Sequence, residues 1–179
     1  PMNHLIVDSL DAVTLVAGGP VAAQDLRLSL IRAPYLVAAD GGADQALALG
    51  EVPRAVIGDF DSISDAAQIR LGSAALFPIR EQETTDFAKA LRSIRAPFVL
   101  ALGALGGRVD HELAVLNTLI TAPMPCVLLG REDVVFAAPA HLRLKLRVGD
   151  RVSLFPLAAI SGRSTGLRWP IDGIQFAPN

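Results

Sequence analysis

The chain has 179 residues, a formal net charge of -2, a hydrophobic fraction of 51% and a single cysteine. These values suit one globular unit or a mid-sized domain with a small appendage. They exclude a disordered chain, an internal disulfide and a cysteine-based zinc site. There is no broad cationic field for nucleic acid or an anionic membrane, and no apolar run long enough to span a bilayer. We see no signal peptide and expect a cytoplasmic protein.

Short apolar runs alternate with helix-like stretches over the first two thirds of the chain. The pattern predicts strands at 14–17, 35–39, 55–57, 75–79 and 98–102, with helices at 20–31, 43–49, 65–71, 85–94 and from Asp110 onwards. The fourth helix should bury Phe87, Leu91 and Ile94, and the last should bury Leu113, Leu116 and Ile120. Such βα alternation favours an α/β fold, a mostly parallel sheet with helices on both faces.

The pattern changes after about Arg131. Apolar and charged residues alternate strictly from Leu142 to Val148, Gly149-Asp150 predicts a turn, and an apolar strand returns at 152–154. We therefore predict a boundary near residues 130 to 135. Residues 1–130 would form the α/β domain and residues 131–179 a smaller antiparallel β domain.

Charged side chains follow the predicted strands at their carboxyl ends, where open parallel sheets bind ligands. Asp40 follows the second strand, Asp59 and Asp61 follow the third, and Arg108 and Asp110 follow the fifth. Asp86 joins them if its helix begins at the same edge. Carboxylates that converge there repel one another unless a cation lies between them, and oxygen ligands suit Mg²⁺ best. On an extended Asp-Phe-Asp segment both carboxylates lie on one side and Phe60 points to the core.

Each feature has a purely structural interpretation when it is taken alone. Asp-Gly-Gly at 40–42 is a common turn, and residues 59–62 could be a turn followed by a helix cap. Asp86 and Asp110 could stabilise helix N-termini, and Thr84 and Thr85 are both good caps. His111 would be a surface side chain and Cys126 a core residue. The combination is what points to a site.

Four motifs carry a resemblance to a known family. They are Ala39-Asp40-Gly41-Gly42-Ala43, Gly58-Asp59-Phe60-Asp61-Ser62, Gln82-x-x-Thr85-Asp86-Phe87-x-Lys89-Ala90-Leu91, and Gly106-Gly107-Arg108-Val109-Asp110-His111. In order and spacing they resemble the thiamine pyrophosphokinases, and Gly166-Leu167-Arg168-Trp169 resembles a later element of that family. The resemblance extends over nearly the whole chain from about Val13. It implies transfer of pyrophosphate from ATP to thiamine, a homodimer with an α/β and a β domain, and thiamine at the subunit interface.

The resemblance also implies roles for matching residues. Asp40, Asp59 and Asp61 would hold Mg²⁺, and Asp86 would assist the metal or orient the thiamine hydroxyl. The ATP-binding residues would be Gly41, Gly42, Lys89, Arg108, Asp110 and His111. Gln82 and Thr85 would contact the phosphates or thiamine, and Trp169 would stack on thiamine. Asp61, Asp86 and Arg108 would carry the catalysis.

Two departures and several alternatives accompany this interpretation. The run Glu81-Gln82-Glu83-Thr84 differs from the family's usual residues before the Thr-Asp pair. In addition, the family's last strands, which would follow a predicted strand at 171–176, are absent from this sequence. We therefore expect the natural protein to continue past Asn179. The alternatives are a pyrophosphokinase for another alcohol such as a pterin, a Mg²⁺-dependent glycosyltransferase, and a non-catalytic nucleotide-sensing domain. A Walker-type NTPase is excluded, because neither lysine follows a glycine.

Overall fold

The structure, a computed structural model, describes residues 5–178. Its strands and helices occur in the following order: β1 (Val7–Asp8), β2 (Val13–Val16), α1 (Ala23–Arg32), β3 (Tyr35–Ala39), α2 (Gly42–Ala48), β4 (Ala55–Gly58), α3 (Asp65–Leu71), a 3-10 turn (Ser73–Ala75), β5 (Leu76–Pro78), α4 (Asp86–Arg92), β6 (Ile94–Arg95), β7 (Val99–Leu102), α5 (Val109–Ile120), β8 (Cys126–Leu129), β9 (Val134–Phe136), β10 (Ile160–Ser161) and β11 (Gln175–Phe176). No helix in this part of the chain is both long and apolar enough to cross a lipid bilayer.

Seven strands form one sheet in the order β5-β4-β3-β2-β7-β8-β9. Every neighbouring pair is parallel except β8 and β9, which are antiparallel. In register, Val13 of β2 pairs with Tyr35 of β3 on one side and with Val99 of β7 on the other. The mostly parallel sheet predicted from the βα alternation is confirmed.

Successive strand residues point to opposite faces of this sheet, so each central strand places apolar side chains on both faces. Helices cover both of these faces. Leu15 of β2 belongs to a core cluster that includes Phe87 of α4 and Val115 of α5. The next residue, Val16, belongs to a different cluster that includes Leu26 of α1. Burial on both faces explains why the central strands are almost entirely apolar. The exception in β2 is Thr14, whose hydroxyl donates a hydrogen bond of 2.7 Å to the carbonyl oxygen of Ala33.

The buried cysteine belongs to this core as well. Cys126 lies in β8, and burial raises the pKa of its thiol to about 12. The sequence-based assignment of Cys126 to the core is confirmed.

The buried face of α5 differs from the prediction. Val115 and Leu119 are buried, whereas Leu113 is 62% exposed and Ile120 is 48% exposed. Leu116 is only partly buried. The prediction for Leu113 and Ile120 is wrong because this helix carries apolar residues on several sides, so their spacing alone does not choose the face that packs on the sheet.

The chain divides into two compact units, Pro1–Ala140 and His141–Asn179. The first includes β9, which begins within the range of 130 to 135 predicted for the boundary and pairs with β8 in the large sheet. In the second, β10 and β11 form a small antiparallel pair, as the predicted fold class requires. The strand expected at 171–176 is reduced to Gln175–Phe176.

The antiparallel ribbon predicted around 142–154 is not formed. The turn itself is present, since Asp150 Oδ2 accepts a hydrogen bond of 2.8 Å from the backbone N–H of Arg147. The flanking residues, however, are in no strand, and Leu142, Leu144 and Leu146 are exposed. A two-stranded ribbon is marginal in water unless its apolar face packs on another layer, and strict alternation does not reveal whether that layer exists.

Candidate functional site

Four aspartates come together at the carboxyl edge of the large sheet. Carboxylate oxygens from these residues, here called the acidic cluster, all lie within 4.8 Å of one another: Asp40, Asp59, Asp61 and Asp86. They come from three places in the chain: the end of β3, the segment after β4 and the first turn of α4. The predicted convergence of Asp40, Asp59 and Asp61 at the strand ends is confirmed, and the condition for including Asp86, that its helix begins at the same edge, is met.

Asp40 is held by the backbone of the segment that follows Asp61. Its Oδ2 accepts a hydrogen bond from the N–H of Ser62 and its Oδ1 accepts one from the N–H of Ile63, each 3.1 Å long. The residue is 2% exposed and has a φ of 43°, which lies in the left-handed region. Burial raises the pKa of Asp40 to about 6, with a further contribution from the charge of Asp86, and the two backbone N–H groups oppose the shift.

The Asp59-Phe60-Asp61 segment is not extended. Phe60 has a φ of 69°, so the chain turns sharply between the two aspartates. The predicted extended geometry is therefore wrong, although Phe60 does pack against buried residues such as Ala38 and Ile63. A residue in the left-handed region cannot be recognised from the alternation of apolar and polar positions, so the sequence pattern does not predict this turn.

The carboxylate of Asp59 accepts three hydrogen bonds. Its Oδ2 lies 2.7 Å from Lys89 Nζ and accepts a second hydrogen bond of 2.9 Å from Gln82 Nε2. Its Oδ1 accepts from the N–H of Asp61 at 3.3 Å. The ammonium of Lys89, followed by the smaller effects of these other donors, lowers the pKa of Asp59 below its usual value, while burial opposes the shift.

Lys89 lies beneath the acidic cluster rather than on the surface. Its side chain is 1% exposed, and its Nζ contacts Asp86 Oδ1 at 3.0 Å as well as Asp59. Burial alone would lower the pKa of Lys89, but the hydrogen bonds and charges of the two aspartates outweigh it, and the pKa lies above its usual value. Lys89 was predicted to contact the ATP phosphates, whereas its contacts in the structure are to carboxylates. Its spacing of three residues from Asp86 on a helix was the available signal.

The start of α4 is fixed by Thr85. Its hydroxyl caps the helix by accepting a hydrogen bond of 3.2 Å from the N–H of Ala88. This cap sets Asp86 in the first turn, where a carboxylate is favoured by the helix dipole. The structural interpretation of Thr85 as a cap is thus confirmed, and its predicted contact with substrate remains a prediction.

Two glycines allow the elements at this edge to approach closely. A Cβ atom added to Gly58 would lie 2.7 Å from Asp40 Cβ, and one added to Gly42 would lie 2.0 Å from the carbonyl oxygen of Val16. Any side chain at Gly58 would therefore push Asp40 away from the end of β4, which leads to Asp59. Gly41 occupies the N-cap position of α2.

The loops that follow β2 and β7 meet at the centre of the same edge. These strands are neighbours in the sheet, and the N–H of Gly19 donates a hydrogen bond of 2.9 Å to the carbonyl oxygen of Gly103. The remaining strands follow outward from β3 on one side of β2 and from β7 on the other, so this is where the strand order reverses. In open α/β sheets such a reversal marks the crevice that binds ligands.

The second group of predicted residues lies at the start of α5, after β7. Arg108 occupies the N-cap position, and its guanidinium forms a two-contact pair with Asp110, of 3.1 and 2.6 Å. This contact raises the pKa of Arg108 and lowers that of Asp110. Asp110 lies in the first turn and not at the N-cap, a position where the helix dipole favours a carboxylate. His111 is exposed, as expected for a surface histidine.

Glu112 was missed by the sequence analysis. Its Oε1 accepts hydrogen bonds from the N–H groups of Gly106 and Gly107, at 2.5 and 3.0 Å, and so ties the glycine-rich loop to α5. An acidic residue in the first turn of a predicted helix after Gly-Gly was the signal that could have found it.

Trp169 belongs to the second compact unit. The residue is 76% exposed, and the centroid of its ring lies 4.8 Å from Arg168 Cζ, a cation–π contact. The contacts of Trp169 therefore do not test the predicted stacking on thiamine.

Comparison with known proteins identifies the family. Residues 26–127 match the family model described as thiamin pyrophosphokinase, catalytic domain, and this span is more than half of the chain. The chain belongs to the thiamin pyrophosphokinase family. The resemblance found in the sequence motifs is thereby confirmed.

Relatives and solved structures agree with this family. Thiamine pyrophosphokinase 1 of Oryza sativa subsp. japonica is 30% identical over an alignment 182 residues long. The alignment covers 82% of this chain and 69% of the relative. The thiamin pyrophosphokinase structure from Geobacillus thermodenitrificans has 27% identity and a TM-score of 0.53, and the match covers 66% of this chain and 59% of that one. The structure from Candida albicans, at 18% identity and a TM-score of 0.57, supports the fold; it covers 72% of this chain and 62% of that one. The chain thus spans about three fifths of the two solved structures.

Proposed function

We propose that this thiamin pyrophosphokinase homologue transfers pyrophosphate from ATP to the hydroxyl of thiamine, giving thiamine diphosphate and AMP. The observation that carries the proposal is the convergence of the acidic cluster at the carboxyl edge of the sheet, beside the reversal of strand order. Family membership supports the same reaction. The active form we propose is a cytoplasmic homodimer.

The donor set of the acidic cluster fits Mg²⁺. It offers carboxylate oxygens from Asp40, Asp59, Asp61 and Asp86, and no histidine or cysteine of the described residues belongs to it. Hard cations prefer such ligands. When bound, the ion would neutralise charge that builds up on the phosphate oxygens during transfer.

The chain's own residues would bind and orient the two substrates. We assign the nucleotide to Gly41, Gly42, Arg108, Asp110 and His111, and thiamine to Gln82, Thr85 and Trp169. The Arg108 guanidinium is largely exposed, so a phosphate can compete with Asp110 for its planar fork. Asp86, 29% exposed at the start of α4, would orient the thiamine hydroxyl with the carboxylate oxygen that Lys89 leaves uncontacted.

An AMP-release assay tests the proposal. With ATP and Mg²⁺, we expect AMP to form only when thiamine is present, together with an equal amount of thiamine diphosphate. Formation of AMP with a pterin alcohol but not with thiamine would indicate a different acceptor. Binding of Mg·ATP without release of AMP under any condition would contradict the enzymatic proposal and favour a nucleotide-sensing domain.

A further inference from the structure

A single buried cation lies among the carboxylates of the acidic cluster. Among residues 5–178, Lys89 is the one basic residue within ion-pair distance of any of the four aspartates. Its side chain is 1% exposed and is among the largest fully buried side chains of the core. A lysine so deeply buried is rare unless its charge is paired, and here two carboxylates pair with it.

The oxygens that Lys89 contacts are only half of those available on its two partners. It binds Oδ2 of Asp59 and Oδ1 of Asp86, one oxygen on each residue. Each carboxylate therefore keeps a second oxygen that the lysine does not contact. Holding one oxygen restricts rotation of the carboxylate about its Cβ–Cγ bond and hence the directions in which the other oxygen can point.

The contacts of Lys89 with Asp59 and Asp86 also reduce the repulsion among the carboxylates of the acidic cluster. With only carboxylates, the acidic cluster would hold four like charges within 4.8 Å before any cation arrives. Such groups disfavour ionisation of one another. One buried ammonium reduces this repulsion permanently, whereas an exposed arginine could leave the cluster.

We propose that Lys89 is a positioning residue, a resident counter-ion that holds Asp59 and Asp86 in ligand geometry before the divalent cation binds. This inference rests on the proposed metal site. It replaces a direct contact of Lys89 with the nucleotide phosphates, because the ammonium is buried and its contacts in the structure are to the two aspartates.

Charge rescue in the metal-free chain is the decisive test. Lys89→Met keeps most of the buried length but leaves two carboxylates without a counter-ion, so we expect a large fall in Tm. Adding Asp59→Asn to Lys89→Met removes one of the unpaired charges and should recover a substantial part of the loss. If the single variant fails to fold but the double variant folds, the inference is supported. A double variant that is less stable than Lys89→Met would overturn it.

Arg92→Met is the matched control, since Arg92 lies on the same helix and pairs with Glu81 outside the acidic cluster, at 2.6 Å. Its effect on Tm should be small because both partners are about one third exposed. Mg²⁺ should raise the Tm of Lys89→Met less than that of the unmodified chain or Arg92→Met, because the two carboxylates are no longer held in ligand geometry before the ion binds. Equal rises in all three would show that Lys89 acts only through packing.

Chemical acylation tests the burial without any substitution. The chain has two lysines, and the other, Lys145, is exposed. In the folded, metal-free chain, Lys89 should react at least about tenfold more slowly than Lys145, because reaction requires local opening. Equal rates would contradict the buried pair. If charge rescue succeeds while Mg²⁺ stabilises neither chain, the counter-ion pairing stands and the proposed metal site fails.

Discussion

The carboxylate of Asp40 accepts a hydrogen bond of 3.1 Å from the backbone N–H of Ser62, and this contact joins the end of β3 to the turn after β4. The adjacent N–H of Ile63 binds the other oxygen of the same carboxylate. Asp40 is thus both a member of the acidic cluster and the anchor of the turn that carries Asp59 and Asp61. Substitution at Asp40 should therefore affect stability as well as chemistry.

The pH dependence of stability is the first prediction. The pKa of Asp40 is about 6 in the folded chain, above its ordinary value of 3.8. The folded state therefore favours the protonated carboxyl group. This contribution to the free energy of unfolding is complete below pH 3.8 and is lost as the pH rises through 6.

Asp40→Asn removes this titration. We expect the free energy of unfolding of the metal-free chain to fall with increasing pH across that window relative to Asp40→Asn, measured by urea denaturation of both. Parallel pH profiles would show that Asp40 does not carry the shift. Asp40→Ala, which leaves the N–H groups of Ser62 and Ile63 without their acceptor, should cost about 1–3 kcal/mol.

Asp61→Asn separates chemistry from folding. Asp61 is exposed, and its Oδ1 accepts a hydrogen bond of 2.7 Å from the hydroxyl of Ser62, which an amide oxygen can also accept. We expect an unchanged Tm and a fall in kcat on the order of a hundredfold or more, since charge compensation in the transition state is lost. Asp65→Asn, at an exposed position in the first turn of α3, is the control and should leave AMP release nearly unchanged. Near-normal turnover by folded Asp61→Asn would contradict the metal-ligand assignment.

Arg108→Lys tests the proposed contact with phosphate. The side chains of Arg108 and Asp110 are 74% and 59% exposed, so their ion pair should contribute little to stability. Lysine keeps the charge but lacks the planar fork, so we expect a higher KM for ATP and almost no change in Tm. Asp110→Ala should likewise leave Tm nearly unchanged, because the structure places Arg108, and not Asp110, at the N-cap. Unchanged ATP kinetics in Arg108→Lys would make Arg108 an ordinary surface cation.

The acidic cluster could be predicted from the sequence because it follows from a general property of parallel sheets. Asp40 and Asp59 directly follow buried strands, and parallel strands end at one edge, so their proximity needs no knowledge of side-chain packing. The fold class was predictable for the same reason, since periodicity reports which residues are buried in each element.

The rest of the site depends on contacts between segments distant in sequence. Lys89 reaches Asp59 across 30 positions, and the amides that bind Asp40 come from 22 and 23 positions away. The left-handed turn at Phe60 and the buried face of α5 are likewise set by packing. Periodicity describes single elements, so it could indicate neither these partners nor the absence of strands around Leu144.

The last prediction concerns Glu112, which we expect to keep the glycine-rich loop ordered. Its Oε1 binds the N–H groups of Gly106 and Gly107, and hydrogen bonds to a charged group contribute about 1.5–3 kcal/mol. In Glu112→Ala we expect these two amides to exchange with deuterium roughly tenfold faster or more, and the KM for ATP to rise, because the loop that leads to Arg108 loses its anchor. Glu112→Gln, which keeps an acceptor oxygen at the same position, should lie between Glu112→Ala and the unmodified chain. Asp110→Ala, two residues away, should leave the exchange of both glycine amides unchanged. If exchange in Glu112→Ala equalled that in the unmodified chain, Glu112 would not anchor the loop in solution.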